Sequence, residues 1–364
     1  MAGKQGAAER LIPVTLLTGF LGAGKTTLLN RLLRQPALAG TAVLINEFGE
    51  IGLDHLLVET LDGDAVLLQA GCLCCTIRGD LAGALAGLVQ RARDGQPIRR
   101  VIIETTGLAD PLPILQTLIA DPATQRHFVL DGVVTLVDAV AGLATLDAQI
   151  EAQRQVAVAD RLLLTKSDLA APEALAALTG RLRALNPGVT PITATAGAVD
   201  PAAILDCGPF DPSGRHPDLA AWLDPAAWDA PHGHDHHHGH GHGHHHHHDP
   251  NRHDARIQAF CLRFERPLPW AGLATWLEML TATRGDSVLR VKGILDLAGQ
   301  EAPVVIHGVQ GTWHRPTPLP AWPAGAPRES RLVFILRDLP RSVVEEGLAA
   351  FCQAAEGEAA IARR

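Results

Sequence analysis

Two strings of residues in this chain have the types and spacing to do chemistry. The first, GFLGAGKTT, runs from Gly19 to Thr27. Gly19, Gly22 and Gly24 let main-chain N–H groups converge on phosphate oxygens without side-chain clash, and Ala23 and Thr27 complete the cradle. A helix opening at Lys25 adds the partial positive charge of its N-terminus. Lys25 then supplies a point charge to the β- and γ-phosphates, and the Thr26 hydroxyl is placed to hold Mg²⁺. Glycine-rich loops also arise by chance. This one has an apolar strand before it and a helical pattern after it, the context that a phosphate-binding loop requires.

Other residues belong to the same chemistry. Val101-Ile102-Ile103-Glu104 reads as an apolar strand ending in a carboxylate. Glu104 is expected to face the Mg²⁺ shell, directly or through water; the bland alternative is a solvated strand-end acid. Gly107 can bring a backbone N–H close to a γ-phosphate. A later apolar strand ends in Leu164-Thr165-Lys166-Ser167-Asp168. A carboxylate at Asp168 can accept both the ring N–H and the exocyclic amino group of guanine, a donor pair that adenine lacks, so GTP is favoured over ATP. Lys166 would lay its stem over the base. Thr165 stands where the usual GTPase string begins with Asn. No Gln follows Gly107, so slow unstimulated hydrolysis is expected.

The second string, GCLCCTIRGDL, runs from Gly71 to Leu81. Cys72, Cys74 and Cys75 do not have the spacing of a zinc finger. In an extended strand Cys72 and Cys74 share one face and Cys75 takes the other, and a turn at Gly71 would bring all three round. Three thiolates at about 2.3 Å leave one tetrahedral position of Zn²⁺ open, which suits handing metal on. A redox thiol pair and a chance core cluster are the competing readings. Between the two strings, Glu47 to His55 holds three acids, two glycines and a histidine. Glu47 and its neighbours there are candidate ligands for Mg²⁺ or a transition metal.

Between His232 and His248, 12 of 17 residues are histidine. Neutral imidazoles bind Zn²⁺, Ni²⁺, Co²⁺ and Cu²⁺, and with a reference pKa near 6.5 they bind at neutral pH and release in mild acid. A solvated linker with incidental metal affinity is the plainer reading.

These residues need a scaffold. Apolar strands at Pro13–Thr18, Ala42–Ile45, Val101–Ile103, Gly132–Val137 and Arg161–Leu164 alternate with helical stretches such as Leu81–Arg93 and Pro113–Ala120. That alternation predicts an α/β fold, a P-loop NTPase with a mostly parallel sheet, over residues 1–207. Residues 208–255 are rich in Pro, Gly, Asp and His and read as a flexible linker. Strands then follow one another at Ile257–Phe264, Val288–Leu297, Val304–Val309 and Leu332–Leu336, with helices at Pro269–Leu280 and Ser342–Phe351. This predicts a smaller α+β C-terminal domain over 256–364.

At 364 residues the chain is long enough for two domains. Its net charge of −8, without a basic block, points away from nucleic acid, and no apolar run is long enough to span a membrane. The N-terminus lacks an apolar signal core, so a cytoplasmic protein with reduced thiols is expected. Cys207, Cys261 and Cys352 read as small apolar residues. All six tryptophans lie at or after Trp222, and there is no tyrosine.

Taken together, GFLGAGKTT, INEFGEIGLD, GCLCCTIRGDL, IIETTGLADP and TKSDL resemble the CobW family of P-loop GTPases, which act in metal homeostasis and metallocofactor assembly. Leu289-Arg290-Val291-Lys292-Gly293, Trp313 and Ser330–Phe334 are similar to that family's C-terminal domain. The resemblance implies a GTPase whose cysteine motif binds Zn²⁺ or Co²⁺ and whose cargo goes to a client metalloprotein or a cobalt-cofactor enzyme. It leaves room for a homodimer. A passive zinc or cobalt store, built on the histidine tract with a structural nucleotide, is the alternative.

Overall fold

The computed structural model describes residues 11–46, 65–68, 76–194, 198–206, 256–322 and 327–362. Glu47, Cys72, Cys74, Cys75, Cys207, the histidine tract and the expected linker lie outside the described residues.

Strands β1 (Ile12–Gly19), β2 (Thr41–Asn46), β3 (Ala65–Leu68), β4 (Arg100–Thr105), β5 (Phe128–Asp138), β6 (Arg161–Thr165) and β7 (Ile192–Ala194) form one parallel sheet in the order β3-β2-β4-β1-β5-β6-β7. Helices cover both faces, so the strands are apolar on both sides instead of alternating. Leu16, Leu44 and Ile103 pack on one face against α2 (Thr76–Arg93) and α3 (Leu112–Ala120). Leu17, Val43 and Ile102 pack on the other against Leu28, Leu29 and Leu32 of α1 (Lys25–Leu33).

The expected strands and helices of this part are present. The structure adds β3, β7 and the helices α4 (Pro122–Gln125), α5 (Gly142–Ala148), α6 (Ile150–Ala157), α7 (Pro172–Leu185) and α8 (Pro201–Ile204). Helix α6 is hard to read from sequence because its buried face carries Gln153 and Gln155 as well as Ala152 and Val156, which blurs the apolar period.

The C-terminal domain is built on an antiparallel sheet. Its strands are β8 (Ile257–Phe264), β9 (Val288–Leu295), β10 (Val304–Val309), β11 (Thr312–Trp313), β12 (Thr317–Pro318) and β13 (Ser330–Arg337), with the main path β11-β10-β9-β13-β8 and β12 paired to β10. Phe334, Phe260 and Leu332 on one face pack against Trp276 and Leu277 of α9 (Trp270–Arg284) and Leu348 of α10 (Arg341–Ala362). The closing helix runs about three turns further than the expected Ser342–Phe351.

The two sheets are joined by a shared apolar cluster. Ile257, Ala259, Leu289 and Ile335 of the second pack with Val156, Leu178 and Leu182 of α6 and α7. No helix among the described residues is long and apolar enough to cross a membrane.

Candidate nucleotide site

The carboxyl ends of β1, β4, β5 and β6 converge, which is where open parallel sheets bind ligands. After β1 the chain turns through Gly24, whose φ of 90° lies in the left-handed region and suits glycine. Helix α1 starts at Lys25 with no side chain capping it, so its first N–H groups are available to an anion. Lys25 is 8% exposed. Its Nζ donates to the carbonyls of Gly19 (2.8 Å) and Phe20 (3.2 Å). These carbonyls are neutral dipoles, weaker partners for an ammonium than phosphate oxygens.

The structure brings Thr26 and Glu104 together across 78 residues of sequence: the Thr26 hydroxyl donates to Glu104 Oε1 at 3.0 Å. Glu104 is only 5% exposed, so it is not the solvated strand-end acid of the bland reading. A buried carboxylate oxygen beside a threonine hydroxyl, next to a helix N-terminus, is a donor set suited to Mg²⁺, which prefers oxygen ligands and keeps several waters. Next to it, Thr105 donates to the Thr18 hydroxyl at 2.8 Å and ties β4 to β1.

Gly107 lies against the phosphate loop. A Cβ there would stand 2.5 Å from the Leu21 nitrogen, so any side chain would push the two loops apart. The loop after Gly107 is held from behind by α6. Gln155 Nε2 donates to the carbonyls of Gly107 and Ala109, each at 3.2 Å. Arg154 pairs with Asp110 at 3.1 Å. Burial pushes the Asp110 carboxyl above its ordinary range, opposed by the Leu112 N–H and Arg154. Sequence reading missed Gln155 and Arg154, since neither stands in a recognisable string.

At the base end, Thr165 occupies the position where asparagine is usual. Its buried hydroxyl donates to the carbonyl of Ala23 at 2.8 Å, so this residue ties β6 to the phosphate loop. Lys166 adopts φ 55° and its Nζ meets Asp138 Oδ2 at 2.6 Å. Burial works against the charge of Asp138, but the Lys166 ammonium and the amides of Val140 and Ala141 outweigh it and hold its pKa low. Asp168 sits in the next turn with its side chain exposed, open to a ligand edge. Gly22 and Thr27 lie on the loop and on α1, beside the other expected phosphate-binding residues.

A second cluster of charges lies between the domains. Asp160, just after α6, accepts the Val133 N–H at 3.0 Å and the Lys292 ammonium at 3.0 Å. Arg290 also pairs with Asp160, donates to the Val158 carbonyl, and contacts His307 Nε2 at 3.3 Å. An arginine has only donors, so this histidine nitrogen accepts and the neutral ring carries its proton on Nδ1. The His307 and His314 rings stack 4.6 Å apart. Burial, the like charge of Arg290 and the opposing pull of Asp160 leave Lys292 with a pKa of about 7. Burial also pushes His314 down to about 4 and His307 well below its ordinary value. Among the described residues no group of three or more His, Cys, Asp or Glu could hold a metal ion.

The CobW/HypB/UreG nucleotide-binding domain matches residues 13–193, and the cobalamin synthesis protein CobW C-terminal domain matches residues 257–352. The zinc chaperone YjiA of Escherichia coli (strain K12) is 33% identical over 347 residues, spanning 93% of this chain and 98% of that protein. The chain belongs to the CobW family. Another relative in the family, the zinc-regulated GTPase metalloprotein activator 1 of Schizosaccharomyces pombe, is 36% identical over 208 residues, which are 54% of this chain and 49% of that protein. A crystal structure of Zn(II)-bound YjiA GTPase from E. coli matches with a TM-score of 0.67 at 29% identity, over 94% of this chain and 99% of that one. The P-loop NTPase fold and the separate C-terminal domain are therefore those of the CobW family.

Proposed function

We propose that this chain is a GTP-dependent metallochaperone. It binds and hydrolyses GTP, holds Zn²⁺ or Co²⁺ with Cys72, Cys74 and Cys75, and passes the ion to a client metalloprotein or cobalt-cofactor enzyme. The observation that carries the nucleotide half is the Thr26–Glu104 contact beside the bare N-terminus of α1 and Lys25. The metal half is supported by the cysteine string itself and by the relatives, a zinc chaperone and a zinc-regulated metalloprotein activator.

In this reading the α1 amides with Gly19, Gly22, Ala23, Gly24 and Thr27 cradle the phosphates, and Lys25 exchanges its carbonyl partners for β- and γ-phosphate oxygens. Thr26 and Glu104 would hold Mg²⁺, which supplies charge neutralisation to those oxygens. Gly107 brings its loop to the terminal phosphate. Lys166 and Asp168 recognise guanine. Glu47 joins the ligands of Mg²⁺ or of the cargo metal. Ordering of Glu47–Asp54 and of the segment after Gly107 by the triphosphate, and their release on hydrolysis, couples nucleotide to metal, and the coupling must be reciprocal. Residues 1–207 and 256–364 act as two units on either side of 208–255. Free thiolates for metal require a reducing compartment, the cytoplasm. Hydrolysis is slow until a client or a second copy supplies the missing element.

A Zn²⁺ and Co²⁺ competition titration tests this on protein lacking residues 232–248, with GDP and with a non-hydrolysable GTP analogue. Tighter one-site binding with the analogue, lost in Cys74→Ala, is expected. Identical affinity in both nucleotide states would instead favour a passive store based on the 12 histidines of the tract.

A further inference from the structure

Helix α6 carries none of the expected ligand-binding residues, yet it is fixed at several points. The Thr135 hydroxyl of β5 donates to the Gln155 carbonyl at 2.8 Å. The Asn186 amide donates to the carbonyls of Val156 (2.9 Å), in the last turn of α6, and Ala159 (3.0 Å), just beyond it. Arg290 reaches from the C-terminal domain to the Val158 carbonyl, so the open carbonyl end of the helix is closed by one residue from each domain. A helix pinned in this way presents its side chains in one geometry.

Gln155 uses that rigidity. It is 1% exposed, and its amide nitrogen spans the carbonyls of Gly107 and Ala109. Its Oε1 is buried with no hydrogen-bond partner among the described residues. A methionine would fill the same space without burying an unmatched carbonyl oxygen, so this position bears a cost in exchange for its two N–H groups. Those groups act on backbone. In a trans peptide the C=O and the following N–H point in opposite directions. Drawing the Gly107 carbonyl toward α6 therefore turns the Leu108 N–H to the other side of the loop. Gly107 meanwhile lies against Leu21 of the phosphate loop, close enough that a Cβ would collide with it.

We propose that Gln155 is a positioning residue for GTP hydrolysis: through the carbonyls of Gly107 and Ala109 it sets the orientation of the loop amides beside the terminal phosphate. The inference rests on the GTPase reading above. It places the control of that loop on a helix whose far end the C-terminal domain holds.

Single-turnover hydrolysis of Mg-GTP by the full chain tests it, alongside GDP affinity, in Gln155→Glu and Gln155→Met. Misplacement of a loop by a fraction of an ångström is expected to lower the hydrolysis rate about 10- to 100-fold in both, with GDP affinity within about twofold of wild type. A buried glutamic acid titrates high, and its protonated form again donates one hydrogen bond. The Gln155→Glu rate should therefore recover between pH 8 and pH 6 relative to wild type, while Gln155→Met should not. Gln155→Asn keeps the amide but withdraws it by one methylene; it covers failure of the other two to bind GDP and is expected to bind GDP normally and hydrolyse about 10-fold more slowly. Wild-type rates in these variants, or equal losses in Gln155→Glu and Gln155→Met with no recovery in acid, would overturn the proposal. A wild-type chain that binds GTP without hydrolysing it would overturn the GTPase reading itself and leave no reaction to position.

Discussion

Lys25 and Lys292 are both buried lysines, and the difference between their surroundings separates a binding site from a structural joint. Lys25 donates to main-chain carbonyls, which are dipoles without net charge and readily replaced by an anion. Lys292 donates to Asp160, a carboxylate already paired with Arg290 and with the Val133 N–H. Burial and the like charge of Arg290 depress Lys292 to about 7, whereas Arg290 and Lys292 hold Asp160 well below the usual carboxylate range against its own burial. Burial of charge alone does not mark a ligand site. What marks it is whether the partners can be exchanged.

The sharpest way to break this comparison is to remove one partner on each side. Asp160→Asn leaves Arg290 and Lys292 buried without their counter-charge, and a loss of about 3–5 kcal/mol in stability is expected by chemical denaturation. Nucleotide affinity should hardly change. Lys25→Ala should do the opposite, lowering GTP and GDP affinity by roughly 100-fold or more with little change in stability. If Asp160→Asn abolished nucleotide binding in protein that is still folded, the joint would be part of the site and the distinction would fall.

A smaller effect concerns pH. The folded-state pKa of Lys292 is depressed from 10.5 to about 7, so between these values the unfolded chain binds more protons than the folded one. Stability therefore rises with pH across that window, and the full penalty of the buried ammonium applies below it. His314 behaves in the same direction lower down: its value falls from 6.5 to about 4, so stability drops as pH falls through that interval. Lys292→Met is expected to match or exceed wild-type stability at pH 7 and to flatten the rise between pH 7 and 9. Urea midpoints at several pH values would show this; a Lys292→Met as unstable as Asp160→Asn would mean that the ammonium is needed after all.

The smallest expected effect is optical. Strand β11 lies beside α3, the helix that follows the Gly107 loop; its Trp313 packs into the core of the C-terminal domain and donates from Nε1 to the Thr281 hydroxyl at 3.0 Å. A change in tryptophan emission on adding a GTP analogue should be lost in Trp313→Phe. Its persistence there would place the reporting tryptophan elsewhere and weaken the link from loop to C-terminal domain.

The phosphate loop, Glu104 and the Thr165–Asp168 turn were legible because each is a short string at the end of an apolar strand, where chemistry and local structure coincide. Even so, the role of Thr165 was hidden. Thr165 departs from the usual asparagine, and only the fold shows its hydroxyl bound to Ala23, 142 residues away in sequence. Gln155, Asp160, Arg290 and His307 left no such trace. Gln155 lies on a helix whose polar buried face obscures its period, and Asp160 meets Arg290 across 130 residues. The expectations on Glu47, Cys72, Cys74 and Cys75 lie outside the described residues.

By itself the sequence determined the strand–loop–helix that builds an anion site, the alternation of apolar strands with helices that makes a parallel sheet, and the later change to consecutive strands. All of these follow from contiguous pattern: glycines that free the backbone, apolar runs that must be covered, and a lysine and threonine at a helix start. Tertiary structure alone decided which carboxylate meets Thr26, which side chain holds the Gly107 loop, and which carboxylate pairs with Lys292. Those outcomes depend on the juxtaposition of elements far apart in the chain, where low dielectric makes each missing partner costly and each close one decisive.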